Sequence, residues 1–318
     1  RFHAFAAGVA METPGRIKAL LIETKSGRRA VLGAVFIDCS GDGDLAAFAR
    51  VPFEKGDADG NPMFPTMMFR LNGVDPMAAA EAWRTIPALM EAAEKRGEKF
   101  PRKGAIVRPQ KHTNEWRVNV TQVKHSNGRA VDGTNARELS FGEIEGRRQA
   151  LSFFEFLKRE AAGFVDAYIV DIPPQLGVRE TRRIQGLCQL TADDVLNCAS
   201  FEDTIGVNGW PIENHVAGDV VWRWPDIPAS RGFNHLPYRM LVPRGVDNLL
   251  VAGRCASMTH EGQSAARVSG PCFVMGQAAG TAAHLSLARK AACADIPVQT
   301  LQDLLERDGA FLGHTSQR

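Results

Sequence analysis

Hydrophobic and polar residues alternate with a period of two through much of the first forty residues, which is typical of half-buried strands. Two such strands, Arg16–Thr24 and Arg28–Ile37, are separated by Lys25-Ser26-Gly27, a hairpin turn signal. The second strand runs into the glycine-containing segment 39–44 and then into Leu45–Ala49, an apolar helical pattern. The pattern predicts a small β-meander followed by a strand–turn–helix crossover.

The composition changes after Pro52, where Gly, Asp, Pro and Met become frequent, and we place a domain boundary near Val51. Further on, Asp75-Pro76 has the form of a helix N-cap followed by Pro in the first turn. Pro87 should break or kink the Ala-rich helix that follows, and Gly97 supplies its C-terminal stop.

Two segments in the middle of the chain have clear periodic patterns. Residues Trp116–Val123 alternate as a half-buried strand. Ser140–Glu143 has the form of a capping box at the start of a helix. Four large apolar residues of that helix fall on one face, which we expect to be buried: Ile144, Leu151, Phe154 and Leu157.

The last third of the chain contains a strongly apolar strand pattern. A second capping box, Thr191–Asp194, should start a short helix, and the segment 208–237 lacks a clear period and predicts an ordered loop. Tyr238–Val242 then resumes a strand pattern. Leu249–Ala252 is a continuous apolar run, typical of a strand buried on both faces of an α/β sheet.

Composition and charge exclude several classes of protein. The 318 residues, 44% hydrophobic and 23% charged, suit roughly two domains, or one domain with a large insertion, and argue against disorder. With 38 basic and 36 acidic residues spread along the chain, there is no electrostatic footprint for nucleic acid. The longest clear apolar run, Ala30–Ile37, is only strand-sized, so no membrane span is expected.

The cysteines are scattered, with no C-x-x-C pair: Cys39, Cys188, Cys198, Cys255, Cys272 and Cys293. This spacing argues against a zinc site or an iron–sulfur cluster. Free thiols are typical of a reducing compartment, so we expect a cytoplasmic protein. The chain begins at Arg1, within apolar sequence and without an initiator Met, and we expect it to be trimmed at its N-terminus.

Two glycine turns follow predicted strands, at the end where α/β sheets bind ligands. The first, Gly41–Ala46, formally fits G-x-G-x-x-G/A, the dinucleotide fingerprint. A hairpin precedes its strand, however, and no second βα unit ending in an acidic residue follows. A tight strand-to-helix turn with Gly at positive φ explains the match equally well. An NAD-dependent dehydrogenase that uses this turn is an alternative.

The second turn, at Gly253, places Arg254 at the ligand-binding end of the apolar strand. Downstream, Gly276–Gly280 puts small residues at i and i+4 of a helix. Such spacing lets a helix closely approach a flat ring system, although helix packing alone would also explain it. The stretch Asn248–Gly280 therefore predicts backbone N–H groups that face an anionic or electron-accepting ligand.

Five segments, in the same order along most of the chain, resemble the FAD-dependent oxidoreductase family with the glutathione-reductase-like FAD fold. The resemblance is specifically to the group related to heterodisulfide reductase. The segments are FIDCSGDGDLAAFA (36–49), PQLGVRETRRIQG (174–186), LTADDV (190–195), PYRMLVPRGVDNLLVAGRC (237–255) and MGQAAGTAA (275–283).

The resemblance implies an α/β fold with an α+β insertion. An incomplete Rossmann-like FAD/NAD(P)-binding domain with a β-meander would occupy 1–50 and 246–290, around an inserted substrate domain at 51–245 and before a C-terminal tail at 291–318. The family's GxGxxG unit for the FAD pyrophosphate is absent from residues 1–318, so this chain alone should bind FAD poorly. The four-iron cluster attributed to parts of the family finds no clustered cysteines here.

The resemblance also assigns cofactor-binding residues. Those that would line the cofactor or approach FAD are Ser40, Gly41, Asp42, Gly253, Arg254, Gly276 and Gln277. We expect no metal there, because two carboxylates beside glycine, Asp42 and Asp44, more often cap a helix.

A flavin takes up a hydride, so the protein must hold the substrate and accept or supply a proton. Arg179, which forms the densest cationic group with Arg182 and Arg183, would bind a carboxylate, and a structural ion pair of these arginines with Glu180 or another acid explains the group equally well. His260 would act as general acid or base. Arg267 would stabilise negative charge on reduced flavin or bind substrate. The alternative for His260 is a surface histidine that only makes a hydrogen bond. The alternative for Arg267 is a salt bridge.

The sequence thus predicts an enzyme that transfers a hydride between a small organic substrate and FAD, without a nucleic-acid or membrane partner. A second hypothesis is a non-catalytic fragment, or a subunit whose flavin site is completed by a partner subunit or that works with an electron carrier. The third is the NAD-dependent dehydrogenase.

Overall fold

A computed structural model describes residues 3–313 of the chain. The strands in this part are β1 Ala4–Thr13, β2 Arg16–Thr24, β3 Arg29–Leu32, β4 Phe36–Asp38, β5 Phe53–Lys55, β6 Phe69–Asn72, β7 Ile106–Pro109, β8 Trp116–Asn119, β9 Tyr168–Asp171, β10 Arg182–Ile184, β11 Thr204–Asn208, β12 Ile212–Asn214, β13 Val221–Arg223, β14 Asn234–Pro237 and β15 Leu249–Val251. The helices are α1 Asp44–Phe48, α2 Pro76–Ala79, α3 Ala82–Lys95, α4 Ala136–Glu160, α5 Ala192–Leu196, α6 His260–Ala266, α7 Ser269–Arg289 and α8 Val298–Arg307. Short 3₁₀ helices cover Ile227–Ala229, Tyr238–Leu241 and Cys293–Asp295.

These elements form two compact units, and the expected mixed α/β class is confirmed. The first unit contains residues up to Gly60, Glu180–Glu213 and the chain from Trp222 onward, and the second contains Asn61–Arg179 and Asn214–Val221. The second unit is therefore smaller than the predicted insertion, 51–245. The difference arises because apolar residues such as Ile184, Leu236 and Tyr238 are buried in the core of the first unit.

A parallel strand pair lies at the centre of the first unit. Phe36 of β4 is opposite Leu249 of β15, and Asp38 is opposite Val251. All three residues of β15 are fully buried, which confirms the predicted buried strand. Because the two strands are parallel, their carboxyl ends lie side by side, and the turns that follow them meet at one edge.

The β-meander of the first unit consists of β1, β2 and β3 in antiparallel order, and Gly27 has the positive φ of the predicted hairpin turn. The predicted strand Arg28–Ile37 is wrong in its length. It is divided into β3 and β4, because the backbone N–H of Phe36 donates to the carbonyl of Asn248, at the start of β15. The Asn248 side chain accepts from Ile17 N at 2.9 Å and so ties the meander to the parallel pair.

In the second unit, four antiparallel strands are ordered β7-β8-β6-β9. Asp75 caps α2 as predicted, by accepting from the N–H groups of Met77 and Ala78. The helix is not broken at Pro87, and the alternative of a kink there stays a prediction. The chain turns at Ala80, whose φ is 40°, and Pro87 lies inside α3.

The long helix α4 differs from its prediction at its start and in its buried face. It begins at Ala136, capped by Asn135, and the Ser140 hydroxyl donates to the Ala136 carbonyl within the helix. Ile144 is 72% exposed and Leu151 is 51% exposed. The buried face instead consists largely of small and aromatic residues: Gly142, Gly146, Ala150, Phe153, Phe156 and Leu157. This face approaches its neighbours closely, since a Cβ on Gly142 would lie 2.7 Å from Leu176 Cδ2.

Two other predictions have opposite outcomes. The capping box at Thr191 and Asp194 is confirmed, and it starts α5. The strand predicted for Tyr238–Val242 is wrong, because Tyr238–Leu241 is a 3₁₀ helix. The Tyr238 hydroxyl donates to the carbonyl of Cys293 at 2.7 Å, which holds this turn against the core. No helix within residues 3–313 has the length and apolar character needed to cross a membrane.

Candidate active site

The turn after β4 is held together by two of its own side chains. Asp38, only 1% exposed, accepts from the backbone N–H and hydroxyl of Ser40 at 3.0 and 2.7 Å, and from Ala46 N at 3.1 Å. Ser40 Oγ in turn accepts from the N–H groups of Asp42 and Asp44 at 3.3 and 3.1 Å. Four N–H groups of this segment, those of Ser40, Asp42, Asp44 and Ala46, are therefore already bonded to its own side chains.

Gly41 and Gly43 have φ of 79° and 65°, as a tight strand-to-helix turn requires. Arg254, from the turn after β15, covers Gly41 so closely that a Cβ there would lie 2.8 Å from its Nη2. The same nitrogen donates to Asp42 Oδ1 at 3.0 Å. The guanidinium of Arg254 thus connects the turn after β15 with the turn after β4. Because Arg254 covers Gly41, this geometry gives no support to an NAD phosphate loop at Gly41–Ala46.

Arg254 and Arg267 contribute three buried nitrogens without a hydrogen bond inside residues 3–313: Nη1 of Arg254 and Nε and Nη2 of Arg267. Arg267 caps the C-terminus of α6, and its Nη2 lies 3.8 Å from Glu213 Oε2, too far for a hydrogen bond. Burial lowers the pKa of Arg267; Glu213 opposes this effect, and the nearby Arg254 adds to it. Buried donors of this kind are costly unless another group accepts from them.

Glu213 is held by its neighbours in the first unit. Its Oε2 accepts from Nε1 of Trp210 at 3.0 Å, and its backbone N–H donates to Ser264 Oγ at 3.2 Å. The carboxylate therefore has a fixed position beside Arg267. Sequence reasoning missed Glu213 and Trp210, because they lie in the aperiodic segment 208–237, where no local pattern distinguishes them.

His260, the first residue of α6, faces a buried carboxylate. Its Nδ1 lies 2.8 Å from Glu180 Oε2, and the Glu180 side chain has no exposed surface. The other oxygen of Glu180 is paired with Nη1 of Arg183. Arg183 also donates to the carbonyls of Met258 and Gly56, both at 3.0 Å. Arg183, Glu180 and His260 thus form one charged cluster. Nδ1 of His260 is at ion-pair distance from Glu180 but makes no aligned hydrogen bond within residues 3–313, and the arginine is structural.

Burial lowers the pKa of His260 and Arg183 lowers it further, while Asp57 and Glu261 oppose the shift. The imidazole is therefore neutral at pH 7. Its side chain is 21% exposed, and its Nε2 makes no hydrogen bond in the described part of the chain. A neutral imidazole beside a buried carboxylate is suited to accept a proton. Glu180 entered the sequence interpretation only as a structural partner of arginine, although its i,i+3 spacing from Arg183 was visible.

The three arginines of the predicted cationic group have different partners. Arg179 belongs to the second unit, is 7% exposed and donates to the Phe64 carbonyl at 2.6 Å. Arg182, in the first unit, pairs with Asp44 at 2.9 Å. A catalytic role for Arg179 stays a sequence prediction.

The small-residue stripe of the last long helix lies on its outer side. Gly276 is in the middle of α7 and not at its entrance, and a Cβ at Gly276 or Gly280 would meet no atom within 4 Å in residues 3–313. Gln277 is exposed, whereas Met275 and Ala278 are buried on the opposite side. The described residues thus leave this side of α7 open.

The turn at Gly253 faces the first turn of α7. Gly253 has a φ of 97°, and a Cβ there would lie 3.9 Å from Cys272 Sγ. The Cys272 thiol donates to the Arg267 carbonyl at 3.2 Å, and burial raises its pKa. Within residues 3–313, no three His, Cys, Asp or Glu side chains are grouped as metal ligands.

Three solved structures show distant similarity to this chain. The first is BexE, studied for insights into oxidation during BE-7585A biosynthesis, with 13% identity, a TM-score of 0.43 and coverage of 96% of this chain and 43% of that one. A triple mutant of the flavin-dependent brominase Bmp2 has 9% identity, a TM-score of 0.34 and coverage of 96% and 55%. A geranylgeranyl bacteriochlorophyll reductase-like protein from Thermoplasma acidophilum has 12% identity, a TM-score of 0.34 and coverage of 99% and 64%.

This chain therefore spans less than two thirds of each of those chains. No curated protein matches the sequence significantly. The family model described as FAD dependent oxidoreductase matches residues 1–305, which is nearly the whole chain. The predicted family is thereby confirmed, together with FAD as the cofactor that the family uses: the chain belongs to the FAD-dependent oxidoreductase family.

Proposed function

We propose that this chain transfers a hydride between a small organic substrate and FAD, and that the edge where β4 and β15 end is its flavin site. The observation that carries this proposal is the pair Arg254 and Arg267, with its three buried nitrogens that lack a hydrogen bond within residues 3–313. A guanidinium donates in a planar fork to oxygen and ring nitrogen acceptors. The pyrimidine edge of a flavin offers such acceptors and gains negative charge on reduction.

The residues present fit this group. FAD, when bound, supplies the hydride acceptor. Arg254 is oriented by Asp42, at 3.0 Å, so its Nη1 keeps a fixed direction. Arg267 is held beside Glu213 in a buried position, where an electrostatic interaction is stronger than in water. Together, they would bind and orient the electron-rich edge of the ring.

His260 would take the proton. When a substrate carbon gives up a hydride, the proton of its attached hydroxyl or amine must leave, and the C–O or C–N bond becomes double. Nε2 of neutral His260 accepts that proton, and the buried Glu180, 2.8 Å from Nδ1, stabilises the imidazolium. Glu180 is thus a positioning residue.

The test is flavin reduction. The purified chain is mixed with excess FAD without oxygen, small alcohols and amines are added, and the bleaching of the visible flavin band is followed. We expect His260→Gln to slow the bleaching by roughly 10²–10⁴-fold with FAD binding unchanged. A flavin spectrum that the chain leaves unperturbed even in excess FAD would refute the stand-alone enzyme.

That last result would favour the second candidate, a flavin site completed by a partner subunit. The observation behind it is that residues 1–318 contain no G-x-G-x-x-G unit apart from the formal match at Gly41–Ala46, where the N–H groups of Asp42, Asp44 and Ala46 are bonded to side chains of the same segment. We also propose a cytoplasmic location, supported by six free cysteines. Labelling of these thiols in intact cells, compared with lysed cells, would test it.

A further inference from the structure

We propose that the second unit binds a small organic anion with a flat ring, such as an aryl carboxylate, in a cleft beside α4. The cleft has a volume of about 540 Å³, within the range of about 300–1,000 Å³ that is usual for small-molecule sites. One wall is the α4 face that includes Phe141 and Phe153, and the other is formed by the segments 99–101 and 124–126. All the residues that line the cleft belong to the second unit.

The walls of the cleft are aromatic. The His125 ring stacks on Phe141, with centroids 4.8 Å apart and an interplanar angle of 12°. Phe100 meets Phe153 edge to face at 6.0 Å. Phe141 remains 39% exposed, so residues 3–313 cover it only in part. Aromatic surfaces held in place by their neighbours favour a flat, apolar ring.

The cleft also has two ammonium groups without a partner. Lys99 and Lys124 line it, and neither makes a hydrogen bond or ion pair within residues 3–313. The carboxylate that lines the cleft, Glu145, accepts two hydrogen bonds of 2.7 Å from Arg148 and one of 2.9 Å from Gln149. Its charge is therefore already compensated.

A second carboxylate near the cleft is occupied too. Glu138 Oε2 lies 3.2 Å from Nε2 of His125 and accepts from Asp132 N at 2.7 Å, while Oε1 accepts from Arg129 at 2.8 Å. The positive charge available in the cleft is thus that of the two lysines. Aromatic walls with a cationic rim fit a ring that carries an anion and disfavour a cation.

Calorimetric titration of the full chain with 2-naphthoate tests the proposal. We expect a Kd on the order of 0.1 mM for a ligand of this size. 2-Naphthamide, which keeps the ring but not the charge, and inorganic phosphate, which keeps the charge but not the ring, should each bind at least about tenfold more weakly. If phosphate binds as tightly as 2-naphthoate, the site does not require a ring. If 2-naphthamide binds as tightly as 2-naphthoate, the site does not require a negative charge. Either result would overturn the proposal.

Variants locate the site. The double variant Lys99→Gln/Lys124→Gln should weaken 2-naphthoate binding about tenfold, and Phe141→Ser should weaken it by a similar factor. Lys111→Gln, an exposed lysine of the same unit outside the cleft, should bind as the wild type does. His125 should also show a chemical-shift change on titration. Wild-type affinity in both cleft variants, or no heat at all with 2-naphthoate, would refute the proposal.

Discussion

Nδ1 of His260 lies 2.8 Å from Oε2 of Glu180, and the Glu180 side chain has no surface exposed to solvent. Arg183, itself 3% exposed, is paired with the opposite oxygen of the same carboxylate. Residues from the segment before β10 and from the start of α6 therefore share one buried charge system. The proton-accepting role proposed for His260 depends on this system, and so does much of the local stability.

The pH dependence of stability should report the shifted pKa of His260. This pKa is below the usual 6.5 in the folded chain, so the unfolded chain takes up the proton first as the pH falls. Stability due to the neutral imidazole is complete above pH 6.5 and is lost as the pH falls towards the folded-state pKa, at about 1.4 kcal/mol per pH unit. Urea unfolding from neutral pH to pH 5 measures it. If the free energy of unfolding depends on pH in the same way in the wild type and in His260→Gln, the lowered pKa of His260 is contradicted.

Replacing the buried carboxylate should destabilise the fold strongly. Glu180→Gln removes the buried partner of Arg183 and leaves only the half-exposed Glu54, whose Oε2 lies 3.6 Å from Nη2 of Arg183, so the free energy of unfolding should fall by about 3–5 kcal/mol. Glu23→Gln removes a solvent-exposed pair with Arg28 and should cost under about 1 kcal/mol. Denaturant unfolding of both variants gives the comparison. If Glu180→Gln and Glu23→Gln lower the free energy of unfolding equally, the Arg183–Glu180 pair contributes no more than a surface ion pair.

Arg267→Met distinguishes a ligand-binding arginine from a structural one. The substitution removes two buried nitrogens that have no hydrogen bond in residues 3–313, while Glu213 keeps its bond from Trp210. We therefore expect the free energy of unfolding without ligand to change by no more than about 1 kcal/mol. Thermal and denaturant unfolding measure this change. A loss of about 3–5 kcal/mol would identify Arg267 as one half of a structural ion pair.

Gly41→Ala tests how closely Arg254 covers the first turn. The new Cβ would lie 2.8 Å from Nη2 of Arg254 and would sit at a φ of 79°, so the guanidinium must move. Gly27→Ala is the matched control, because its φ is 94° but its Cβ would meet no atom of residues 3–313 within 4 Å. Both variants bear the backbone cost of about 1 kcal/mol, and only Gly41→Ala should also weaken FAD binding. If Gly41→Ala and Gly27→Ala bind FAD with equal affinity, Arg254 does not contribute to FAD binding.

Local patterns predicted those parts of the fold in which neighbouring residues act on each other. The hairpin at Gly27, the cap at Asp75 and the capping box at Thr191 each depend on residues within three positions, and all three are confirmed. The face of α4 is predicted correctly at Leu157 and Phe154 but incorrectly at Ile144 and Leu151, which are exposed. Gly142 and Gly146 are buried there instead, since their lack of a side chain allows close packing.

The candidate site was predictable only in part. The turns at Gly41 and Gly253 follow strands, and their meeting depends on the parallel pairing of β4 with β15, which a resemblance suggests but no local pattern shows. The partners of the charged groups were not predictable. Glu213 approaches Arg267 from 54 residues away in sequence, and only the folded chain brings them together.

An equilibrium titration with FAD shows whether Arg254 and Arg267 hold a flavin. Quenching of flavin fluorescence is measured for the wild type, Arg267→Met and Arg289→Met, an exposed control at the end of α7. We predict saturable binding by the wild type and the control, and an affinity at least about tenfold lower for Arg267→Met. Equal affinity for all three proteins, or no quenching by the wild type, would contradict the claim.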